Sequence, residues 1–412
     1  MFGQNDNIRI GIFGLWRGGA YIKSLLLLPN VTITAVCERM TDRVDKNLEK
    51  LAEQKEKPTV FTEPEAFFSS GLFDAVILAN YLPEHAKYAI KALRLGIHVL
   101  CETTAAVTMA DAVALCREAE AARERGVLYM MAENYPYSCS CTELRKLYRT
   151  GKFGKMMFAE GEYVHPMDPE NSSFYNSPTI QGKYHWRRYL PVTYYCSHSL
   201  APIMYATGER PVRVMAMTAK DTTEHISEFK RLRADLVGVM LLSTDGGAVL
   251  RINGSTYCPP EDNWYRISCT RGSVETVRGE QTKVRVAYNK WDTPEGEEQE
   301  YFYTPEWTEH KEAADSTRHG GGDYFVVRAF IDALRGNGEP FPDVYDSCCM
   351  AAVGILGWKS ALEGVPYDIP DFRNEEERKK WENDRDNPFP DFETGEHSLP
   401  YSTTPVDAGE DW

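Results

Sequence analysis

The sequence predicts an α/β protein with an N-terminal, doubly wound parallel sheet and a C-terminal α+β domain that contains a large, mostly antiparallel open sheet. Over the first third of the chain, short β-branched segments alternate with helical segments, which is the pattern of parallel βαβ units. Farther along, apolar and polar residues alternate in segments joined by Gly and Asp turns, which indicates antiparallel strands. The 412 residues also suit two cores, because single cores rarely grow beyond roughly 250–300 residues.

The parallel sheet is predicted from the apolar segments of the first region. Strands are expected over 8–13, 31–39, 73–80 and 97–102, and "VLYMMAEN" forms a further strand that closes the domain near residue 134. The helices between them are expected to end at Pro29, near Gly96 and at Gly126, residue types that terminate helices. We therefore set the first domain at 1–134.

The second domain is set at 135–372, where the alternating segments lie. These are "MMFAEGEYVHP", "VRVMAMTAK", "GVMLLSTDGGAVLRINGS" and "WYRISCTRGSVETV". From 373 to 412 the chain is charged and Pro-rich, beginning "RNEEERKKWENDRDNPFPDF", which predicts a tail that is loosely held or ordered on contact.

Composition excludes several classes of partner. The net charge of −15 opposes binding to nucleic acid or to anionic membranes, because both would be repelled at long range. No window holds the ~18 consecutive apolar residues of a membrane span, and the polar start "MFGQNDN" lacks the features of a signal peptide, so a cytoplasmic location is expected. The ten cysteines lack CxxC spacing, which favours reduced thiols, and the dispersed histidines predict no metal site.

A glycine-rich turn follows the first predicted strand. Gly14 and Gly19 fit the GxGxxG pattern, in which the pyrophosphate of a dinucleotide approaches a helix N-terminus, while Trp16 occupies the middle glycine position. Glu38, about 20 residues farther on, is typical of residues that bind a ribose diol and repel a 2′-phosphate, so NAD is favoured over NADP. The alternative is a tight turn in a domain that binds no cofactor.

The segment "LANYLPEHAKYAIKALRLGIHVLCE" resembles the Gfo/Idh/MocA oxidoreductases, in which this arrangement of elements ends in Glu-Lys-Pro. The lysine is a catalytic residue of the sugar and inositol dehydrogenases of that family, and this chain has Glu102-Thr103-Thr104 instead. The resemblance implies a Rossmann domain that binds NAD. Cofactor contacts are expected from the glycine turn and from the ends of later strands: Gly14, Leu15, Trp16, Arg17, Gly19, Glu38, Asn80, His85, Glu102 and Asn134.

The absence of the lysine is shared with one branch of that family, the NAD-dependent, alpha-N-acetylgalactosaminidase-like enzymes of glycoside hydrolase family 109. That branch continues with Ala-Ala-Val-Thr, as this chain does at 105–108. Further motifs of the branch follow in order: "ENYPYS", "GEYVHP", "HWRRYLPVTYYCSHSLAP", "HGGGDY" and "PDVYDSCCMAAVGILGWKSALEG". The resemblance spans about residues 8–372 and implies a glycosidase that acts on a small-molecule glycoside.

The resemblance also implies a mechanism. In that branch NAD oxidises C3 of the sugar, C2 loses a proton, the leaving group is eliminated, water adds and the hydride returns, so there is no net redox change. His198, Tyr195 and Tyr163 are the candidate catalytic residues, because histidine and tyrosine suit proton transfer, and the three-residue spacing puts Tyr195 and His198 on one face if their segment is helical. Residues expected to bind the sugar are Arg187, Trp186, His319, Asp323 and Tyr324.

Two other functions stay open on the sequence. One is an NAD-dependent sugar or cyclitol dehydrogenase, which the missing lysine disfavours, and the other is a non-catalytic nucleotide-binding sensor. Single residues also have structural interpretations: His198 as a core histidine, Trp186 as a packing residue and "HGGGDY" as a mobile loop. Oligomers are common in this fold, so we expect a homo-oligomer, either a dimer or a tetramer, that pairs through the open face of the second sheet.

Overall fold

The computed structural model describes residues 2–51, 54, 56–166, 186–219, 234–256, 258, 260–391 and 394–404. The chain divides into two compact units. The first comprises Met1–Ala106, Ala110–Cys139 and Glu306–Cys348, and the second comprises Val107–Met109, Ser140–Pro305 and Cys349–Trp412. The first unit therefore takes in a segment, 306–348, from within the range that the sequence assigns to the second domain.

The first unit contains a six-stranded parallel sheet in the order β3-β2-β1-β4-β5-β6. Its strands are β1 (Ile8–Phe13), β2 (Val31–Cys37), β3 (Thr59–Phe61), β4 (Ala75–Leu78), β5 (His98–Cys101) and β6 (Tyr129–Met131). Every residue of β4, β5 and β6 is buried, as expected when helices cover both faces of a parallel sheet. The predicted doubly wound sheet is confirmed. The edge strand β3 was not predicted, because it has only three residues and none of them is buried.

Helices connect and cover the strands of both units. They are α1 (Gly18–Leu26), α2 (Thr41–Lys50), α3 (Pro64–Phe68), α4 (His85–Arg94), α5 (Met109–Glu124), α6 (Cys139–Arg149), α7 (Ser197–Thr207), α8 (Lys311–Asp315), α9 (Gly322–Leu334), α10 (Val344–Glu363) and α11 (Glu375–Lys379). Helix α9, which comes late in the chain, packs on α1 in the first unit. This packing positions part of the candidate site described below.

The second unit contains a nine-stranded sheet in the order β14-β13-β12-β11-β7-β10-β9-β8-β15. The strands are β7 (Met156–Val164), β8 (Pro211–Ala219), β9 (Val237–Thr244), β10 (Val249–Ser255), β11 (Asp262–Cys269), β12 (Gly272–Val277), β13 (Glu280–Tyr288), β14 (Glu300–Tyr303) and β15 (Tyr367–Asp368). All neighbours are antiparallel except β7 and β10. Burial alternates along β8 and β9, so one face of the sheet is covered and the other is open. The predicted open, mostly antiparallel sheet is confirmed.

The described part of the predicted C-terminal tail packs on the second unit. Phe389 and Ser402 are buried, and Lys359 of α10 forms an ion pair with Asp384. Residues 405–412 lie outside the described residues. All ten cysteines are free thiols, as expected from their spacing. Within the described ranges, no helix is long and apolar enough to cross a membrane.

Candidate active site

The glycine turn of the first unit lies between β1 and α1. Gly14 has φ +88, a left-handed conformation, and a Cβ at this position would lie 2.3 Å from the carbonyl oxygen of Ala79. Only glycine therefore allows the turn to pass so close to the end of β4. The Trp16 side chain contacts the guanidinium of Arg43, whose Cζ lies 4.7 Å from its ring centroid. Gly19 lies in the first turn of α1.

Glu38 follows β2 and closes the glycine turn. One oxygen of its carboxylate accepts a hydrogen bond from the backbone N–H of Leu15 at 2.9 Å, and the other accepts from that of Met40 at 3.2 Å. These contacts fix an anionic side chain beside the start of α1. That is the arrangement expected of an acidic residue that binds a ribose diol.

Arg17 is the centre of a charged network in the first unit. Its Nε donates to Glu102 at 2.6 Å, and its two terminal nitrogens donate to the Asp323 carboxylate at 3.0 and 2.7 Å. Tyr21 joins the network, because its hydroxyl accepts from Arg17 at 2.9 Å and donates to Glu102. The guanidinium is thus held by two carboxylates. These contacts fix the orientation of the Arg17 side chain, and its predicted contact with the cofactor stays a prediction.

Asp323, at the start of α9, is 1% exposed. Besides Arg17, its carboxylate accepts from Asn134 Nδ2 at 2.8 Å and from His319 Nδ1 at 3.1 Å. Burial alone would raise the pKa of this carboxyl group, but hydrogen bonds from His319 and Arg17 outweigh it and hold the pKa well below its usual range. Because protein donors already occupy both oxygens, the contacts give no support to the prediction that Asp323 binds the sugar directly.

The "HGGGDY" segment forms a tight turn that leads into α9. His319, Gly320 and Gly321 have φ values of +57, +59 and +89. A Cβ on Gly322 would lie 2.5 Å from the carbonyl oxygen of Asn134, so the turn approaches the end of β6 closely. Since a carboxylate only accepts, His319 Nδ1 donates to Asp323, and its side chain stays 34% exposed. Tyr324 is buried beside His310, with its hydroxyl 3.2 Å from His310 Nδ1, which also argues against the predicted sugar contact.

Two buried polar atoms lie at the carboxyl ends of β4 and β5. The register pairs Leu78 with Cys101, so Asn80 and Thr103 occupy corresponding positions two residues beyond the paired ends. In the described part of the chain, neither Asn80 Oδ1 nor Thr103 Oγ1 has a hydrogen-bond partner. A buried polar atom without a partner costs about 1–3 kcal/mol. A polar ligand bound at this edge would satisfy both atoms.

His85 and Thr104 complete this edge. The carbonyl oxygen of Thr104 lies 2.9 Å from His85 Nδ1, which therefore carries the proton. Burial lowers the pKa of His85, so the imidazole is neutral. The Thr103–Thr104 peptide bond is cis. The glycine turn, Glu38 and the two unsatisfied oxygens together fit a dinucleotide with a free ribose diol.

The second unit brings three other predicted residues together. Tyr163 lies on β7, Tyr195 ends the 3₁₀ turn Val192–Tyr195, and His198 lies in the first turn of α7. The ring centroid of His198 is 4.7 Å from that of Tyr163 and 4.7 Å from that of Tyr195. The two tyrosine rings are 5.8 Å apart. These three residues form what we call the ring cluster.

The backbone around the ring cluster is fixed by close packing. Tyr265 of β11 donates from its hydroxyl to the carbonyl oxygen of His198 at 2.7 Å. A Cβ on Gly161 would lie 1.8 Å from the carbonyl oxygen of Ser199, so β7 and α7 approach closely at this glycine. Tyr163 and His198 are each 7% exposed. Tyr265 was not predicted, because its contact is to a backbone carbonyl far away in sequence.

Arg187 and Trp186 lie beside the ring cluster. The Arg187 Cζ is 4.3 Å from the Trp186 ring centroid and 5.8 Å from that of Tyr195. His165 is a further neighbour, with its ring centroid 5.8 Å from that of Tyr163 and its Nδ1 2.9 Å from Glu261. The sequence contained a signal for His165. Residues two apart in an extended segment point to the same side, and His165 follows Tyr163 by two residues. The described residues include no group of three or more His, Cys, Asp or Glu that could hold a metal ion.

Two known protein families match the chain, one over each of its two parts. Residues 8–133 match the family described as "Oxidoreductase family, NAD-binding Rossmann fold", which confirms the predicted NAD-binding Rossmann domain. Residues 140–383 match the family described as "Glycosyl hydrolase 109, C-terminal domain". The chain belongs to the glycosyl hydrolase 109 family, and the resemblance found in the sequence is confirmed.

Individual relatives are distant in sequence but similar over most of their length. The chain is 24% identical to a glycosyl hydrolase family 109 protein of Stenotrophomonas maltophilia, with 90% of each chain covered. It is 25% identical to the alpha-N-acetylgalactosaminidase of Shewanella oneidensis, covering 91% of this chain and 86% of that one.

Solved structures share the fold. An oxidoreductase domain protein from Kribbella flavida has a TM-score of 0.73 at 18% identity, covering 89% of this chain and 100% of its own. The WlbA dehydrogenase of Bordetella pertussis, solved with NADH and UDP-GlcNAcA, has a TM-score of 0.70 at 20% identity, covering 90% and 99%.

Proposed function

We propose that this chain is an NAD-dependent glycoside hydrolase that cleaves its substrate by transient oxidation at C3, deprotonation at C2, elimination, addition of water and re-reduction, without net redox change. The observation that carries the proposal is the ring cluster, because it places two tyrosines and a histidine in contact within a glycosyl hydrolase 109 domain. Such groups can both take and return protons, which hydrolysis by this route requires at more than one atom.

The proposed mechanism gives different residues of the chain separate roles. When bound, NAD supplies the hydride acceptor for C3 and returns the hydride at the end. We assign His198 and Tyr195 to proton transfer at the C3 hydroxyl and at C2, and Tyr163 to a second proton transfer or to substrate positioning. Arg187, stacked on Trp186, donates to sugar hydroxyls, because its planar group of donors is fixed in direction.

The residues that would hold NAD follow from the first unit. Glu38 would accept from the adenosine ribose diol, and the turn at Gly14 would admit the pyrophosphate. Asn80 Oδ1 and Thr103 Oγ1 would gain the hydrogen-bond partners that they lack. Arg17, Glu102, Asn134 and Asp323 would hold the turn in position through their hydrogen bonds. His319, oriented by Asp323, remains a candidate for binding the sugar.

The names of the relatives suggest the first substrates to test. One relative is an alpha-N-acetylgalactosaminidase, and the WlbA dehydrogenase was solved with UDP-GlcNAcA. We therefore propose a small-molecule glycoside as the substrate. A panel of aryl glycosides with and without a 2-acetamido group, in both anomers, tests this choice.

The test of the mechanism is hydrolysis in D₂O. The purified protein, supplied with NAD, is expected to cleave an aryl glycoside, to incorporate deuterium at C2 of the released sugar and to accumulate no NADH. Cleavage with the C2 hydrogen fully retained would exclude the mechanism. Stoichiometric NADH formation with a free sugar would instead identify a dehydrogenase, and NAD binding without turnover of any substrate would identify a sensor.

We also propose that the chain forms a homo-oligomer through the open face of the second sheet. Apolar side chains on β8, β9 and β10 are exposed there: Met215, Met217, Val239, Leu241 and Val249. Next to them a row of alternating charges crosses the sheet, in which Glu160 pairs with Arg251 and with Arg266, and Glu275 pairs with Arg285. Because both signs alternate in one row, a second copy related by a twofold axis can complement it.

Sedimentation velocity tests the oligomer. Leu241→Glu is expected to shift the protein to the monomer, because it places a charge in the centre of the apolar area. Val60→Glu, which changes an exposed apolar residue of the first unit, serves as the control and should leave the sedimentation coefficient unchanged. A wild-type protein that sediments as a monomer at all concentrations would contradict the proposal.

A further inference from the structure

We infer that the C-terminal segment beyond the family match positions the substrate side of the second unit. We define the strap as residues 384–391 and 394–404, and the loop as residues 186–195, which carry Trp186, Arg187 and Tyr195. The strap begins directly after residue 383, where the glycosyl hydrolase 109 match ends. The inference rests on the proposed function, since it makes strap residues act through Arg187 and Tyr195.

The strap is anchored to helix α10 at two points. At its start, Lys359 Nζ lies 2.6 Å from Asp384 and 3.3 Å from Asp386. Near its end, Trp358 Nε1 donates to the carbonyl oxygen of Pro400 at 2.8 Å. Trp358 is 0% exposed. These contacts fix the course of the strap on the second unit.

Two aromatic residues of the strap then contact the loop. The Phe389 ring lies edge-on against Tyr194, with centroids 5.3 Å apart at an interplanar angle of 87°. The Tyr401 ring lies in the same manner against Tyr189, at 4.9 Å and 74°. Tyr194 directly precedes Tyr195, and Tyr189 follows Arg187 by two residues. Phe389 and Tyr401 thus hold the loop next to both residues that the proposed function uses.

A third contact reaches the loop through Asp235. This aspartate is 0% exposed, and its carboxylate accepts from Ser402 Oγ at 2.6 Å, from the Thr403 backbone N–H at 3.2 Å and from Thr218 Oγ1 at 2.6 Å. The preceding residue, Ala234, donates its N–H to the carbonyl oxygen of Arg188 at 3.2 Å. The end of the strap is therefore hydrogen-bonded to Asp235, and the adjacent residue Ala234 is hydrogen-bonded to the loop.

The backbone of the loop is also closely packed against α10 and β9. A Cβ on Gly354 of α10 would lie 2.8 Å from the carbonyl oxygen of Thr193, and a Cβ on Gly238 of β9 would lie 2.6 Å from a methyl group of Val192. The loop backbone is thus confined by α10 and the sheet, while the strap packs against its tyrosines. Loss of the strap's aromatic rings would free Tyr189 and Tyr194 to shift, and Arg187 and Tyr195 would shift with them.

The test uses Phe389→Ala and Tyr401→Ala in the full chain. Tyr367→Ala, a tyrosine of the edge strand β15, is the matched control. Hydrogen–deuterium exchange is expected to rise over 186–195 in the two strap variants and to stay unchanged in the control. For aryl glycoside cleavage, kcat/KM is expected to fall roughly ten- to hundredfold, the scale expected when a reacting group is misplaced by about 1 Å. Tyr401→Phe keeps the ring and should restore both readouts.

The NAD dissociation constant separates positioning from unfolding, because NAD binding is assigned to the first unit. The NAD dissociation constant should be the same in all variants as in the wild type. Unchanged exchange over 186–195 would overturn the inference whatever the activity, as would raised exchange with full kcat/KM. A general loss of structure, with weaker NAD binding, would also overturn it. If the wild-type protein cleaves no glycoside, the proposed function fails, and the exchange result alone then decides whether the strap holds the loop.

Discussion

The charged network of the first unit and the ring cluster of the second are built from different kinds of group. In the network, Arg17, Glu102 and Asp323 each contact at least two partners through charge-assisted hydrogen bonds. In the cluster, Tyr163, Tyr195 and His198 contact one another through their rings. The network fixes positions, because its groups are held by several hydrogen bonds and the pKa of the buried Asp323 carboxyl is held well below its usual range.

The proposed proton-transfer groups lie in the ring cluster, and the groups that fix positions lie in the charged network. A carboxylate such as Asp323, whose pKa is held well below its usual range, is a poor general acid or base at neutral pH. Tyrosine and histidine carry ionisable groups that suit proton transfer. Charged residues near a candidate site are therefore not automatically its catalytic residues.

The largest effect is expected from the ring cluster. Tyr163→Phe removes one hydroxyl and keeps the ring, and His198→Ala removes the imidazole. We expect kcat for glycoside cleavage to fall about 10²–10⁴-fold in each, the usual contribution of a proton-transfer residue, with NAD affinity unchanged. Tyr301→Phe, a tyrosine on β14, is the control for hydroxyl removal. Full activity of Tyr163→Phe would remove that residue from the mechanism.

The second effect concerns the stability of the first unit. Asp323→Asn removes the carboxylate that His319 contacts and one of the two carboxylates that hold Arg17, so we expect the free energy of unfolding at pH 7 to fall by about 3 kcal/mol. Asp332→Asn, a half-exposed carboxylate on the same helix α9, is the control and should cost less than about 1 kcal/mol. Urea unfolding measures both. Equal stability of the Asp323 variant and the wild type would show that the network does not hold the unit together.

The difference in stability between the wild type and Asp323→Asn is also expected to depend on pH. Because folding lowers the pKa of Asp323, its contribution to stability is fully present above the ordinary carboxyl pKa of about 4 and is lost as the pH falls toward the lower pKa of the folded state. The wild type should therefore lose more stability than Asp323→Asn when urea unfolding is repeated from pH 6 to pH 3. Parallel curves for the two proteins would place the acid sensitivity in other carboxylates.

The sequence predicted the parallel sheet well because its strands are continuous apolar runs, as in β4 and β5. It also predicted that Tyr195 and His198 would lie together if their segment were helical; their ring centroids are 4.7 Å apart, although Tyr195 ends the 3₁₀ turn that precedes α7. It could not predict the pairing of Arg17 with Asp323, because the two are 306 residues apart and a single ion pair leaves no periodic pattern. Two further features could not be predicted, because contacts between residues far apart in the chain leave no pattern in the sequence. These are the inclusion of 306–348 in the first unit and the packing of the strap on Tyr189 and Tyr194.

The smallest effect is expected at Glu38, which combines both roles in one side chain. Its carboxylate is fixed by the N–H groups of Leu15 and Met40, as in the charged network, yet it is also proposed to bind the cofactor. Glu38→Gln keeps the shape and removes the charge, so NAD affinity should fall about tenfold, the low end for a hydrogen bond to a charged group. The preference for NAD over NADP should narrow as well, because the repulsion of the 2′-phosphate is lost.

Fluorescence titration with NADH and NADPH measures the effect at Glu38, and Asp42→Asn, an exposed carboxylate in the first turn of α2, is the control. An unchanged ratio of the two affinities in Glu38→Gln would mean that the carboxylate only closes the glycine turn. Glu38 would then belong with Arg17 and Asp323 as a positioning residue. If instead the affinities for NADH and NADPH became more similar in Glu38→Gln while its free energy of unfolding stayed unchanged, the carboxylate would be needed for recognition of the cofactor and not for holding the turn.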